Sequence, residues 1–103
     1  MQFTVYRNDN AASQKHVPFL LAVQSNLVDS ASTCVVVPLI TSERAGSPVS
    51  RLMPTFVIGE ASMVMDTLQL AAIPRTLLGP AVQDMTGERA TIMAALDMLI
   101  SGI

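Results

Sequence analysis

The sequence contains few of the residue types from which metal and redox sites are built. It has one histidine, one cysteine and no tryptophan in 103 residues. The lone Cys34 excludes an intrachain disulfide, and its apolar surroundings in the sequence favour a buried structural thiol. One histidine and one cysteine do not supply the usual ligands of a zinc site. We therefore predict neither a disulfide framework nor a metal centre.

Catalytic motifs are also missing from the sequence. The lone His16 stands in a polar loop, whereas a catalytic triad needs it beside a nucleophile and an orienting acid. No serine lies in a G-x-S-x-G pattern. The sequence has neither a glycine-rich phosphate loop nor a D-x-D-x-D calcium loop. We predict no catalytic residue and no cofactor, and we expect a protein that is not an enzyme.

Charge is sparse and is not concentrated anywhere along the chain. Only 14% of the residues are charged, and six Lys and Arg against eight Asp and Glu give a net charge of −2. The cations are scattered: Arg7, Lys15, Arg44, Arg51, Arg75 and Arg89. Nucleic-acid binding needs a basic stripe that follows the phosphates. Direct binding to nucleic acid is therefore not expected.

Long apolar runs are absent, although half of the residues are hydrophobic and the mean hydropathy is +0.48. The longest runs, Val17–Val23 and Cys34–Ile40, are too short to cross a bilayer. The N-terminal segment shows no signal-peptide pattern. We expect a cytoplasmic protein with no membrane partner, folded as a single domain over residues 1–103. The apolar excess must be buried in that domain or against another copy, which predicts a homo-oligomer.

Short strands separated by turns are predicted over most of the chain. Alternating or continuous apolar patterns indicate the following strands and hairpin: Gln2–Tyr6, Phe19–Ser25, Thr33–Ile40, a hairpin over Pro54–Asp66, and a strand over Leu68–Gly79 that Pro74 interrupts. Polar loops are predicted at Arg7–His16 and Thr41–Ser50, and a turn at Asn26–Thr33. Proline removes a ladder donor, so Pro38 is expected at an edge or a bulge.

Only the C-terminal stretch has helical periodicity. Thr86 is the predicted N-cap, and five apolar residues fall on one helical face: Met85, Ile92, Leu96, Leu99 and Ile103. Glycine disfavours helix continuation, so Gly102 is expected to redirect the chain and take Ile103 out of this register. Asp97 would lie in the last turn, where its charge opposes the helix dipole. It is either a solvated charge or part of a surface for a cationic partner. Together these elements predict a small β-barrel or curved sheet with an appended helix.

Five segments, in order and at nearly constant spacing, resemble the CcdB family of toxins: MQFTVY, VQSNLVD, VVVPL, VIGEAS and ALDMLISGI. The resemblance implies an SH3-like β-barrel of short antiparallel strands with a C-terminal α-helix, assembled as a homodimer. Proteins of this family are toxins of plasmid or chromosomal toxin–antitoxin modules and act in plasmid maintenance. They bind the GyrA subunit of DNA gyrase and trap the enzyme on cleaved DNA. A CcdA-like antitoxin neutralises them.

The resemblance also implies two sets of binding residues. The gyrase surface would comprise Ser25, Leu27, Val28, Asp97, Ile100, Ser101, Gly102 and Ile103. The antitoxin surface would include residues of the first loop: Arg7, Asn8, Asp9, Lys15 and His16. The sequence departs from the family at Ser101, where well-known members carry a tryptophan that stacks on a gyrase arginine. It also departs at Asp97, where an amide is common, and in Thr41–Ser50, which needs a one-residue gap.

Two other functions fit the predicted fold class. One is an endoribonuclease of the MazF/Kid type, which shares the barrel but needs basic residues along an RNA groove. The other is a non-toxic module that retains only antitoxin binding, because the tryptophan that serves as a hot spot is missing.

Overall fold

A computed structural model describes residues 1–47 and 49–103. In these residues, seven antiparallel strands form a curled half-barrel, and a helix follows at the C-terminal end. The elements are β1 Thr4–Asn8, β2 Phe19–Ala22, β3 Thr33–Thr41, α1 Ser42–Ala45, β4 Thr55–Ile58, β5 Ala61–Met65, β6 Ala71–Pro74, β7 Leu78–Asp84 and α2 Arg89–Ser101. Short 3₁₀ turns cover Asn26–Val28, Thr67–Gln69, Arg75–Leu77 and Thr86–Glu88. The predicted mainly β fold with a C-terminal helix is confirmed, and the half-barrel agrees with the SH3-like class.

The long strand β3 organises the sheet. The strands run in the order β4-β5-β3-β2-β1-β7, and β6 pairs with β3 beside β5. Along β3, the ladder with β6 stops at Val36, which lies opposite Ala71, and the ladder with β5 starts at Leu39, which lies opposite Met65. Pro38 lies between these two ladders, where its missing N–H costs no hydrogen bond. Its carbonyl accepts a hydrogen bond from the Asp66 N–H at 2.9 Å. Pro38 is thus neither at an edge nor in a bulge, but at a change of partner.

The alternation of side chains along β3 separates two apolar clusters. Val37 and Leu39 point into the main core, where α2 contributes Ile92 and Ala95, both fully buried. Cys34 and Val36 belong to a smaller cluster with Leu20 and Ala22. Successive residues of a strand face opposite sides, so the continuous apolar run of β3 contributes side chains to both clusters. Cys34 is buried and unpaired, as predicted.

Helix α2 differs from the prediction at its N-terminal end and agrees with it at its C-terminal end. Thr86 is not its N-cap, because Thr86 starts a 3₁₀ turn and its own N–H is bonded to an Asp84 carboxylate oxygen at 2.9 Å. At the other end the helix stops at Ser101, and Gly102 adopts a left-handed φ of +76°. Ile103 therefore leaves the helical register and is 74% exposed. This agrees with the expectation that Gly102 ends the helix and redirects the chain before Ile103.

Two other regions also differ from the predictions. The loop predicted at Thr41–Ser50 begins with the short helix α1, where the Thr41 hydroxyl accepts from the Arg44 N–H at 3.3 Å; Pro48 lies outside the described residues. The strand predicted over Leu68–Gly79 is divided into β6 and the start of β7. The rest of β7 was missed because GPAVQD has no clear alternation, and pairing with β1 defines it.

The Asp84 carboxylate makes a pH-dependent contribution to stability. Hydrogen bonds from the side chain and backbone of Thr86 lower the pKa of Asp84 below its usual value. A lowered pKa in the folded state stabilises the fold above the unfolded pKa, and this contribution is lost as the pH falls through the folded pKa. Asp84→Asn is expected to lower the thermal midpoint at neutral pH.

This difference between variant and parent should disappear in acid. Circular dichroism melts from about pH 7 to about pH 2 would show the two midpoints converging below about pH 4. Asp29→Asn, at an exposed carboxyl in the turn after β2, is the matched control. A difference at Asp84 that stays constant over the whole range would rule out the proposed effect of its charge.

Candidate binding surfaces

The turn after β2 holds two apolar side chains in solvent. The Ser25 hydroxyl accepts a hydrogen bond from the Leu27 N–H at 3.1 Å and so starts the 3₁₀ turn Asn26–Val28. Leu27 is 95% exposed and Val28 is 48% exposed. The turn thus holds in water two side chains that the core does not use. Of the predicted gyrase contacts, Ser25 also has a structural role as the cap of this turn.

Gln24, which the sequence predictions did not include, braces the same turn. Its amide oxygen accepts from the Val35 N–H at 3.0 Å. Its amide nitrogen donates to the carbonyls of Val28 at 3.0 Å and Thr33 at 3.3 Å. One side chain therefore ties both ends of the turn to β3. No local sequence pattern marks this role, because the partners of Gln24 lie up to 11 residues away along the chain.

The end of α2 presents a second exposed surface. Ile100 is 79% exposed, and Asp97 also faces solvent. The Ser101 hydroxyl donates to the Asp97 carbonyl at 2.8 Å, and the Gly102 N–H donates to the Met98 carbonyl at 3.1 Å. These bonds cap the last turn of the helix, and the left-handed Gly102 redirects the chain. All five predicted residues from Asp97 to Ile103 are accessible to a partner.

The loop after β1 is internally braced by Asn8. The Asn8 side chain is 5% exposed, and its amide nitrogen donates to the Ser13 hydroxyl at 3.0 Å and to the Val17 carbonyl at 2.8 Å. Its amide oxygen accepts from the Asn10 N–H at 2.9 Å. Asn8 is thus placed to support the loop and not to touch a partner. The other predicted antitoxin residues are exposed: Arg7, Asp9, Lys15 and His16.

The position of Asp9 depends on Gly79. A Cβ atom at position 79 would lie 2.7 Å from an Asp9 carboxylate oxygen and 2.9 Å from the Arg7 carbonyl oxygen. Contacts of that length do not occur, so the close approach of β7 to this loop requires glycine. The Asp9 N–H is bonded to the Leu77 carbonyl at 3.1 Å. The start of the loop is therefore fixed to the residue that precedes β7.

The loop forms one wall of a groove of about 490 Å³, which we call the loop groove. Asn10 and Ser13 stand on the loop side, and Arg44 and Asp66 stand opposite. The floor is largely apolar and includes Leu20, Val36, Ile40 and Ile73. Partial burial raises the pKa of Asp66, and Arg44 acts against that shift. Such a groove can take an apolar side chain flanked by polar groups.

In residues 1–47 and 49–103, no three His, Cys, Asp or Glu side chains come together as a metal-binding group. Within the same residues, no helix has both the length and the apolar character that a membrane span requires.

Comparison with known protein families gives a match over nearly the whole chain. A family model described as CcdB protein matches residues 2–102. The matched range includes the turn after β2, the loop after β1, the loop groove and the last turn of α2.

Proposed function

The chain belongs to the CcdB family, and from this premise we propose that it binds the GyrA subunit of DNA gyrase and traps the enzyme on cleaved DNA. Family membership supports the general role of a gyrase-poisoning toxin in a toxin–antitoxin module. In this proposal the protein is a cytoplasmic plasmid-maintenance toxin that works by binding and not as an enzyme. It needs no cofactor and does not contact nucleic acid or membrane itself.

The exposure of Leu27 is the observation that carries the proposal. A leucine that is 95% exposed contributes nothing to the core of its own chain. The turn is held by the Ser25 hydroxyl and by three hydrogen bonds of Gln24, so the fold itself fixes Leu27 in its exposed position. Preorganised apolar side chains are what a binding partner can bury at low entropic cost. Leu27 lies in the segment that the family uses against gyrase.

A cleavage assay tests this function directly. The purified protein is incubated with gyrase and supercoiled plasmid, and linear DNA is scored after denaturant and protease treatment. We expect linear DNA to accumulate with protein dose, and a parallel incubation with cellular RNA to show no fragments. RNA fragments without linear DNA would favour the MazF/Kid-type nuclease. If neither linear DNA nor RNA fragments form and the protein still binds the antitoxin, the result would favour the non-toxic module.

A homodimer is part of the proposal. Large apolar side chains outside the proposed gyrase surface are also exposed in the single chain, among them Met1, Leu68 and Val82. A second copy could cover part of this surface, as a stable dimer interface requires. Light scattering at about micromolar concentration is expected to return about twice the chain mass of 11.0 kDa. A mass of one chain over that range would contradict the dimer.

We place the CcdA-like antitoxin in the loop groove. A disordered segment gains affinity by burying apolar side chains as it orders, and the groove offers an apolar floor beside a braced loop. Arg7, Asp9, Lys15 and His16 stand exposed at that loop and can contact the polar groups of the segment. Asn8 contributes by holding the loop in place.

Ala71→Phe is expected to weaken antitoxin binding by about tenfold or more, because a phenyl ring would fill the groove from its floor. Ala71 is exposed, lines the groove and lies in β6. Ala72→Phe is the matched control, since the next residue of a strand faces the opposite side. Calorimetric titration with the cognate antitoxin peptide measures both variants. If both variants weaken antitoxin binding equally, the antitoxin does not bind in the loop groove.

A further inference from the structure

We propose that the gap between β4 and β7 binds an extended basic peptide segment, which adds a strand to the edge of β4. This site, called the β4–β7 gap, is formed by residues that line neither the loop groove nor the exposed end of α2. It is therefore a third interaction surface, independent of the gyrase and antitoxin surfaces proposed above.

Strands β4 and β7 are the two ends of the sheet order, and no ladder joins them in the described residues. A single side chain bridges them. The Gln83 amide nitrogen of β7 donates to the Val57 carbonyl at 3.0 Å, and its amide oxygen accepts from the Gly59 N–H at 3.0 Å. Neighbouring strands lie about 4.8 Å apart, and a separation bridged by a whole glutamine side chain is wider. The barrel is thus open at this gap.

The Gln83 amide takes the place of a peptide group. Its nitrogen also contacts the Met85 sulfur at 3.1 Å. Its hydrogen bonds to the carbonyl of residue 57 and the N–H of residue 59 are those that one residue of a parallel neighbouring strand makes. Ile58 pairs with Ala61 across a two-residue turn, so the N–H and C=O groups of Thr55 and Val57 point away from β5. The edge therefore offers further groups that Gln83 does not reach.

The chemistry of the gap selects a cationic strand. A space of about 610 Å³ is lined by the apolar residues Phe56, Val57 and Met85 and by the acidic residues Asp84 and Glu88. Among the described residues that line it, none is cationic. The positive end of the α2 helix dipole amounts to about half a charge, so the rim stays negative. In a strand that alternates Arg or Lys with apolar residues, the cations can pair with Asp84 and Glu88, and the apolar residues can contact the apolar lining of the gap.

A second copy of this chain is a poorer occupant of the β4–β7 gap. In a two-fold interface the same edge would meet itself, and the carboxylates of Glu60, Asp84 and Glu88 would be brought together. Like charges held close together oppose such pairing. The exposed Val57, at 62%, is instead available to a partner with a different sequence.

The test uses a blocked hexapeptide of alternating arginine and valine, titrated into the ¹⁵N-labelled full chain. We expect amide shifts centred on Thr55–Gly59 and the Gln83 side chain, with slower hydrogen exchange at the Val57 N–H. A peptide with glutamate in place of arginine should bind at least about tenfold more weakly. A peptide N-methylated at alternate residues should lose binding because it cannot complete the ladder.

Two variants separate strand addition from simple charge attraction. Val57→Pro removes an N–H that faces the gap and leaves the β4–β5 ladder intact, so it should abolish binding. Gln83→Ala removes the competing amide and should tighten binding by about threefold or more. Equal binding of the arginine and glutamate peptides would overturn the proposal, as would wild-type binding by Val57→Pro. Shifts at Thr55–Gly59 on concentrating the protein alone would assign the edge to a second copy and overturn it as well.

Discussion

Removal of Ser101, Gly102 and Ile103 is expected to abolish trapping of cleaved gyrase–DNA complexes while leaving the fold nearly unchanged. Ile103 is 74% exposed, and the deletion removes only the hydrogen bonds of the last helical turn. Loss of exposed residues should lower the free energy of unfolding by less than about 1 kcal/mol. Loss of a central contact of the gyrase surface should reduce potency by at least about 30-fold. Linear DNA yield and the thermal midpoint measure the two effects.

Ile92→Ala, in the buried face of the same helix, is expected to lower stability without directly affecting the proposed gyrase surface. Ile92 is fully buried, so its truncation should cost about 2–5 kcal/mol of stability. Any loss of potency should then follow the unfolded fraction. Ser101→Trp, which supplies the aromatic residue of well-known family members, should raise potency. If the shortened chain unfolds or loses its oligomeric state, the terminal residues are structural and the gyrase assignment at this end fails.

Leu27→Ser is expected to reduce gyrase poisoning by about tenfold or more, without changing the thermal midpoint. The side chain is 95% exposed, so its removal leaves no cavity in the core. The Leu27 N–H remains bonded to the Ser25 hydroxyl, because that bond uses the backbone. The loss should therefore come from the interface, where an apolar anchor of this size contributes about 1–2 kcal/mol. The dose that gives half-maximal linear DNA measures it.

Val49→Ser is the matched control for Leu27→Ser. Val49 is 54% exposed and lies in the β3–β4 connection, outside both segments of the proposed gyrase surface. Its substitution removes a comparable exposed apolar side chain and should leave potency unchanged. Equal losses in the two variants would show that general surface hydrophobicity matters and would remove the specific role of Leu27.

For the proposed gyrase surface, the sequence locates the exposed residues but not the side chains that hold them in place. The family resemblance selects the segments VQSNLVD and ALDMLISGI, and the eight predicted contact residues within them are exposed. The role of Gln24 could not be inferred from the sequence. Its hydrogen-bond partners Val28, Thr33 and Val35 come together only when the turn folds back on β3. In the same way, Asn8 matched the family's antitoxin loop, yet its buried amide serves the loop itself.

Local patterns alone determined the third strand, the β4–β5 hairpin at Gly59 and the C-terminal helix, because their hydrophobic periodicity arises within a few residues. The tertiary structure decided the features that depend on distant partners. Phe3 takes a positive φ of +64° in the core, so β1 starts at Thr4 and not at Gln2. Pro38 fits where β3 changes partner, and Gln83 bridges strands that are far apart in sequence. Ile103 fits the helical period but lies in solvent, because the left-handed Gly102 ends α2 and turns the chain away from the helix axis.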